Sequence, residues 1–251
     1  MTAGRDSAPP PARPDGKALL AVSGVHAYYG KSHILHGLDL AIAAAEVVSL
    51  LGRNGSGRST ALKVIMGLVP PAAGRIELAG RDLAGATPFR ICRAGIAYVP
   101  EEREIFSNLT VDENLAMGVQ APRPGAPTWT LEQMFDYFPV LRKRRNTRGG
   151  NLSGGEQQML TMCRSLLGNP RLILIDEPTE GLAPMLVSAV RDVIRDIHGR
   201  GVSVLLVEQK LTIALEVASR LCVMGHGRIV FEGSPGELTP DSPVLKEWLA
   251  V

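Results

Sequence analysis

The stretch "LLGRNGSGRST", residues 50–60, is the most informative part of this sequence. An apolar run ends there in three closely spaced glycines, and a helical pattern begins near Arg58. Glycine tolerates positive φ, so successive backbone N–H groups can face a phosphate, and a helix N-terminus favours the same anion. The spacing matches the pattern G-x-x-x-x-G-K-[ST] except at Arg58, where the pattern has lysine. The stretch predicts either a phosphate-binding loop or an ordinary glycine-rich turn between a strand and a helix.

A second motif, "ILIDEP" at residues 173–178, places two carboxylates at the end of a continuous apolar run. Such a run predicts a strand that is buried on both faces. An isolated Asp-Glu pair at a strand end is usually a solvated turn. Beside a phosphate loop, Asp176 can instead reach the Mg²⁺ shell and Glu177 can polarise a water molecule. The upstream glycine loop favours this second interpretation.

A third motif, "NLSGGEQQML" at residues 151–160, lies just upstream of that strand. Ser153 and Glu156 have the spacing of a helix N-terminal capping box. The same serine hydroxyl, glycine N–H groups and helix N-terminus favour an anion. The order of glycine loop, LSGGE and Asp-Glu strand rarely arises by chance.

Together these motifs resemble the ATP-binding cassette (ABC) transporter ATPases, over roughly residues 18–240. The resemblance implies an α/β P-loop NTPase core with an N-terminal antiparallel β subdomain and an inserted α-helical subdomain. We expect the ATPase domain at 18–251, with the helical subdomain at about 111–166. The strand–helix alternation of the last third independently predicts a parallel sheet. The Pro- and Ala-rich residues 1–17 are predicted to form a disordered tail.

The resemblance also implies a site for ATP and Mg²⁺ in which each residue has a role. The nucleotide-binding residues would be Tyr29, which matches the aromatic that stacks on adenine, and Gly52, Asn54, Gly55, Ser56, Gly57, Arg58, Ser59 and Thr60. The metal-site residues would be Ser59, Glu101 and Asp176, and the catalytic residues Glu177 and Gln209. The signature motif would be Leu152, Ser153, Gly154, Gly155 and Glu156, which would close over ATP held by the other subunit of a head-to-tail dimer.

Three departures from the general family pattern indicate a subfamily. Glu101 stands where most members have Gln, Gln209 where most have His, and Pro184 where most have Asp. The combination resembles an ATP-binding subunit of branched-chain amino acid importers, with urea or short amides as the alternative cargo. The resemblance implies a second ATP-binding subunit (in a hetero- or homodimer), membrane permease subunits and, indirectly, an external solute-binding protein. It places the chain in the cytoplasm, peripheral on the inner face of the cell membrane.

Arg58 is the departure that the subfamily does not explain. Arginine keeps the positive charge but replaces a compact ammonium with a wide planar fork. We therefore expect weaker ATP binding and slower hydrolysis than in the Arg58→Lys variant. A nucleotide-binding subunit with impaired hydrolysis stays open as an alternative.

Composition excludes several other classes. A net charge of +2 over 251 residues gives no general argument for nucleic-acid binding, and we expect no nucleic-acid partner. The longest apolar run is interrupted by Asp39 and Glu46 and is too short to span a membrane. Three scattered cysteines suit a reducing compartment.

Soluble ABC ATPases of DNA repair or translation are an alternative class. They carry coiled-coil insertions or tandem cassettes, and neither pattern is present in this sequence.

Overall fold

The computed structural model describes residues 18–239 and 241–249, so the predicted tail at 1–17 lies outside the described residues. The strands in chain order are β1 (Leu20–Tyr29), β2 (Ser32–Ile42), β3 (Val47–Leu51), β4 (Ala73–Leu78), β5 (Arg81–Asp82), β6 (Ile96–Val99), β7 (Leu172–Asp176), β8 (Ser203–Val207), β9 (Arg220–Gly225) and β10 (Arg228–Gly233). The α-helices are α1 (Arg58–Ile65), α2 (Pro88–Ala94), α3 (Val111–Ala116), α4 (Leu131–Tyr137), α5 (Pro139–Lys143), α6 (Gly154–Leu166), α7 (Pro184–Gly199) and α8 (Leu211–Val217). Short 3₁₀ turns lie at Gly149–Asn151 and Pro235–Glu237, and a π-helical turn at Leu245–Leu249.

The N-terminal strands form an antiparallel sheet in the order β2-β1-β4-β5. In β1, buried and partly exposed side chains alternate up to Val22, and the pairing register then shifts before Val25. Gly24, at φ 58°, lies in this irregularity. A bulge of this kind lets a strand bend while its apolar face stays on the core.

The second sheet has the order β10-β9-β3-β8-β7-β6. Its strands pair in parallel except for β10, which forms an antiparallel hairpin with β9. Every residue of β3, β7 and β8 is buried, as their continuous apolar runs predict. The carboxyl ends of parallel strands share one edge, which is where ligands bind in open α/β sheets. Here that edge carries the glycine loop, Asp176 and Glu208.

This parallel sheet separates two apolar cores. In β7, Leu172 and Leu174 pack into a core with the N-terminal sheet and α1, whereas Ile173 and Ile175 pack into a core with α6 and α7. Successive strand side chains point to opposite faces, so one buried strand serves both layers. The predicted α/β P-loop architecture is confirmed.

Helix ends follow local sequence signals. Thr110, Thr130 and Ser153 each cap a helix, and each capping box is completed by the residue three positions later. The helices α3 to α6 fall within the segment predicted as helical, 111–166. The boundaries of a separate subdomain there stay a prediction. Within the described part of the chain, none of the helices has the length and apolar character that a membrane span requires.

Candidate nucleotide site

The glycine loop after β3 forms one wall of a cavity of about 390 Å³ at the carboxyl edge of the parallel sheet. The cavity is lined by Ile34, Asn54, Gly55, Ser56, Gly57, Arg58, Ser59, Thr60, Glu101, Glu177, Glu180 and Gln209. All of these except Ile34 and Glu180 are residues that the sequence predicted for the site. Residues from widely separated stretches of the sequence therefore meet around the predicted phosphate loop.

The loop conformation requires glycine at two positions that decide its shape. Gly52 has φ 153°, and a Cβ there would lie 2.6 Å from the carbonyl oxygen of Met224 and 2.7 Å from Ser56 Oγ. Gly57 has φ 104° and is the N-cap of α1, with no side chain closing the helix end. The first N–H groups of α1 are therefore free of a side-chain cap, as a phosphate-binding helix N-terminus requires.

Arg58, the first residue of α1, extends its side chain into the site and is only 5% exposed. Its Nη1 donates to the carbonyl oxygen of Glu208 at 3.1 Å. Its Nη2 donates to Glu177 Oε1 at 2.9 Å and to Asn54 Oδ1 at 3.3 Å. One guanidinium therefore joins the segments that follow β3, β7 and β8.

Glu177, the predicted catalytic residue, is held from two sides. Besides the ion pair with Arg58, its Oε2 accepts a hydrogen bond from Gln209 Nε2 at 2.7 Å. Its backbone has φ 44°, which is uncommon for a residue other than glycine. Burial raises the pKa of Glu177 to about 7, although the Arg58 charge and the Gln209 hydrogen bond oppose the rise. The carboxylate is thus oriented by named partners at the edge of the cavity.

Ser59 and Asp176 supply oxygen atoms beside the phosphate loop. Ser59 Oγ donates to Asp176 Oδ1 at 3.1 Å, and the Tyr98 hydroxyl donates to Oδ2 at 3.3 Å. Burial raises the pKa of Asp176, and the two hydrogen bonds act in the opposite direction. Hydroxyl and carboxylate oxygens are ligands that Mg²⁺ accepts, so the donor set fits this ion. Tyr98 had no motif that would have identified it.

Glu101 lies with other carboxylates at the mouth of the site. Oxygens of Glu101, Glu177 and Glu180 lie within 4.8 Å of one another. Burial, followed by the charges of Asp176 and Glu180, raises the pKa of Glu101. The negative charge that collects here is the kind that a cation would offset. Glu180 was missed because an acidic residue two positions beyond a strand-end proline has no motif of its own.

The signature residues lie apart from this cavity, at the start of α6. Ser153 accepts from the Glu156 N–H at 3.4 Å, and Glu156 accepts from the Ser153 N–H at 2.8 Å, which confirms the predicted capping box. A Cβ at Gly154 would meet the Arg103 guanidinium at 2.5 Å. Among the residues described, none of the five signature positions lines the cavity around the phosphate loop. Their predicted role on the ATP of a second subunit does not require them to do so.

The two tyrosines at the end of β1 are both exposed. Tyr29, the predicted adenine-stacking residue, lies opposite Ser32 at the β1–β2 turn, and its side chain is open to solvent. Tyr28 is exposed to a similar degree. Its side chain is 42% exposed and stacks on the His33 ring with centroids 4.1 Å apart. Position 28 is on the outer face of the sheet, since its neighbour Ala27 is buried.

Comparison with known proteins identifies the family. The ABC transporter family matches residues 35–180, more than half of the chain. The chain belongs to the ABC transporter ATP-binding proteins. This ABC protein is 39% identical to the high-affinity branched-chain amino acid transport ATP-binding protein BraG of Pseudomonas aeruginosa, over 92% of this chain and 99% of BraG. It is 31% identical to the lipopolysaccharide export ATP-binding protein LptB of Haemophilus influenzae, over 92% of this chain and 97% of LptB.

Solved structures agree with this assignment. A nucleotide-free ATP-binding cassette from an ABC transporter superposes with a TM-score of 0.78 at 26% identity, covering 92% of this chain and 98% of that one. The ADP conformation of another ATP-binding cassette superposes with a TM-score of 0.75 at 27% identity, covering 91% and 97% of the two chains. The protein is thus an ABC ATPase, a nucleotide-binding subunit of the kind that dimerises and works with membrane permeases.

Proposed function

We propose that this ABC ATPase binds and hydrolyses ATP to power the uptake of branched-chain amino acids across the cytoplasmic membrane. The observation that carries the ATPase role is the convergence of the phosphate loop, Asp176, Glu177 and Gln209 around one cavity. The similarity to BraG over nearly the whole of both chains supports the choice of cargo. Importer and exporter subunits resemble this chain at comparable identity. The proposed cargo is therefore supported by sequence similarity alone, whereas the ATPase role is supported by the geometry of the site.

In this proposal the phosphates bind against the backbone N–H groups of the loop and the N-terminus of α1. Ser59 and Asp176 would hold Mg²⁺, with Glu101 nearby, and the ion would supply positive charge to offset that of the phosphates. Glu177 accepts a proton from the attacking water, and Gln209 orients Glu177 and contacts the γ-phosphate. Tyr29 covers the adenine from the β1 side.

The signature motif completes a second site rather than this one. Ser153, Gly154 and Gly155 at the N-terminus of α6 would meet the γ-phosphate that a second ATP-binding subunit holds. Two subunits arranged head to tail would then enclose two ATP molecules, and hydrolysis would let them separate. The position of the signature motif, apart from the chain's own phosphate loop, supports this arrangement.

An apolar groove supports a membrane permease as the other partner. Four of the exposed large apolar side chains of the described residues line it: Leu68, Phe89, Phe106 and Met117. The groove encloses about 390 Å³ and also includes Glu104, three residues from the cavity-lining Glu101. A cytoplasmic helix of a permease with apolar side chains fits such a groove. Docking there would place the subunit on the inner face of the membrane.

Affinity purification of the tagged chain from native membranes tests the proposal. We expect integral membrane permeases and a second ATP-binding subunit to co-purify, and the reconstituted complex to take up leucine in an ATP-dependent manner. Recovery of the chain with no membrane partner would contradict the transport role. Uptake of urea or a short amide with no uptake of leucine would contradict only the cargo.

One observation favours a second candidate function, a nucleotide-binding subunit with impaired hydrolysis. Arg58 is paired with the residue proposed as the catalytic base. A carboxylate that is neutralised by a guanidinium is a weaker proton acceptor. If Arg58 keeps this contact after ATP binds, the chain would bind ATP and close the dimer while its partner subunit hydrolyses.

A further inference from the structure

The Arg58 side chain lines the cavity in which the phosphates are proposed to bind. The Arg58–Glu177 ion pair is buried on both sides, with side-chain exposures of 5% and 6%. The remaining guanidinium hydrogen bonds go to Asn54 and to the Glu208 backbone. A compact ammonium at position 58 has no planar fork with which to hold the two loops after β7 and β8 together.

The β- and γ-phosphates of a nucleoside triphosphate interact differently with the Arg58–Glu177 pair. The β-phosphate is received by loop N–H groups and the N-terminus of α1, neither of which involves the Arg58–Glu177 contact. A P-loop cation contacts the β- and γ-phosphates, but the γ-phosphate is the group that lies beside the attacking water and therefore beside Glu177. Since Glu177 already holds Nη2 at 2.9 Å, the γ-phosphate and the Glu177 carboxylate compete for one guanidinium.

We propose that Arg58 and Glu177 form a latch that a nucleoside triphosphate opens and a nucleoside diphosphate leaves closed. Arg58 is then the residue that sets the preference between ATP and ADP, and it releases Glu177 only when a γ-phosphate arrives. This inference rests on the proposed nucleotide-binding role of the loop, and it does not depend on the transported solute.

The effect of the latch on nucleotide affinity can be measured at equilibrium. ATP must break a buried, charge-assisted contact that ADP leaves in place, so the latch lowers the affinity for ATP relative to ADP. Contacts of this kind change an equilibrium constant by roughly 10-fold or more. The ratio of the two affinities isolates the effect because general damage to the loop weakens both nucleotides together.

The test is competition of ATP and of ADP against a fluorescent ADP analogue, with EDTA present so that neither metal nor hydrolysis contributes. The full chain is compared with Arg58→Lys, Glu177→Gln and the double variant. We expect Arg58→Lys to raise the ATP-to-ADP affinity ratio by about 10-fold. Glu177→Gln should raise the ratio by a similar factor in the otherwise unchanged chain, and by less than about 3-fold when Arg58→Lys is already present.

The comparison of backgrounds is essential because Glu177→Gln also removes repulsion between a carboxylate and the γ-phosphate in any cassette. Arg53→Lys is the matched control, since Arg53 is an exposed arginine of the same loop whose side chain does not line the cavity. It should leave the ratio unchanged. If Arg58→Lys fails to fold, Arg58→Met can replace it, and the double-mutant cycle with Glu177→Gln is measured in the same way.

Equal ratios in the wild type and Arg58→Lys would overturn the latch and leave the ATPase proposal standing, provided that both nucleotides bind. An equal effect of Glu177→Gln in both backgrounds would also overturn it. Failure of the wild type and every variant to bind either nucleotide would overturn the latch and the proposed function together.

Discussion

Arg58 is the single residue at which this ABC ATPase departs most from a phosphate-binding loop. Its charge suits a phosphate, but in the structure the charge is already paired with Glu177. The same carboxylate accepts from Gln209, so the residue proposed to activate water is held by two donors. In the proposed latch, ATP binding and the release of Glu177 occur together, because both require the Arg58 guanidinium to move.

Replacing Arg58 by lysine tests whether the arginine slows turnover. Arg58→Lys keeps the charge and removes the fork that reaches Glu177, so we expect hydrolysis to rise by about 3- to 10-fold. The measurement is ATP turnover of both proteins assembled with their partner subunits. Equal rates would show that arginine substitutes fully for lysine at this position.

The first turn of helix α6 has an observed structural role and a proposed functional one. Ser153 caps the helix, and the same hydroxyl belongs to the signature motif. Thr130 caps α4 through an equivalent box with Gln133, in the same helical segment, but carries no predicted contact with nucleotide. Comparing substitutions at Ser153 and Thr130 therefore separates the effect of losing a helix cap from the effect of losing a phosphate contact.

Removal of these two hydroxyls should produce similar losses of stability and different losses of activity. Ser153→Ala and Thr130→Ala should each lower the free energy of unfolding by about 1 kcal/mol, the usual cost of a lost N-cap. Only Ser153→Ala should reduce hydrolysis by the assembled dimer, by at least about 10-fold. Thermal unfolding and ATP turnover are measured on both variants. If the two variants had equal ATP turnover, the proposed role of Ser153 in binding ATP would be wrong.

Sequence predicts elements and motifs of this protein well because both are local. The apolar run before the glycine loop predicted β3, and the apolar run of "ILIDEP" predicted β7; both are fully buried strands. The contact of Arg58 with Glu177 was not predictable, since it joins loops 119 residues apart in sequence. Tyr98 and Glu180 were missed for the same reason: their place in the site depends on which loops meet at the sheet edge.

The molecule as a whole has two separate concave surfaces, a nucleotide cavity and an apolar groove. One edge of the parallel sheet carries the nucleotide cavity, and the apolar groove lies between the α2 region and α6. Phe89 and Met117, which are 67% and 61% exposed, both line this groove. Such exposed apolar side chains in one groove indicate a surface that a partner covers.

A charge placed in the groove should weaken attachment to the permease. We expect Phe89→Asp to release at least about 10-fold more of the chain from washed membranes, because an aspartate cannot be buried there without a partner. Val230→Asp is the matched control, since Val230 is also exposed but lies on β10 and away from the groove. Both variants should bind ATP as the wild type does. Retention of Phe89→Asp on the membrane would contradict the docking surface.

The role of Glu177 as the catalytic base of ATP hydrolysis can be tested in the complete transporter. ATP turnover of the assembled transporter in proteoliposomes is compared for the wild type, Glu177→Gln and Glu180→Gln, the last being a second carboxylate of the same cavity. We expect turnover to fall by at least about 100-fold in Glu177→Gln and by less than about 10-fold in Glu180→Gln, with ATP still bound by both variants. Hydrolysis by Glu177→Gln at the wild-type rate would contradict it.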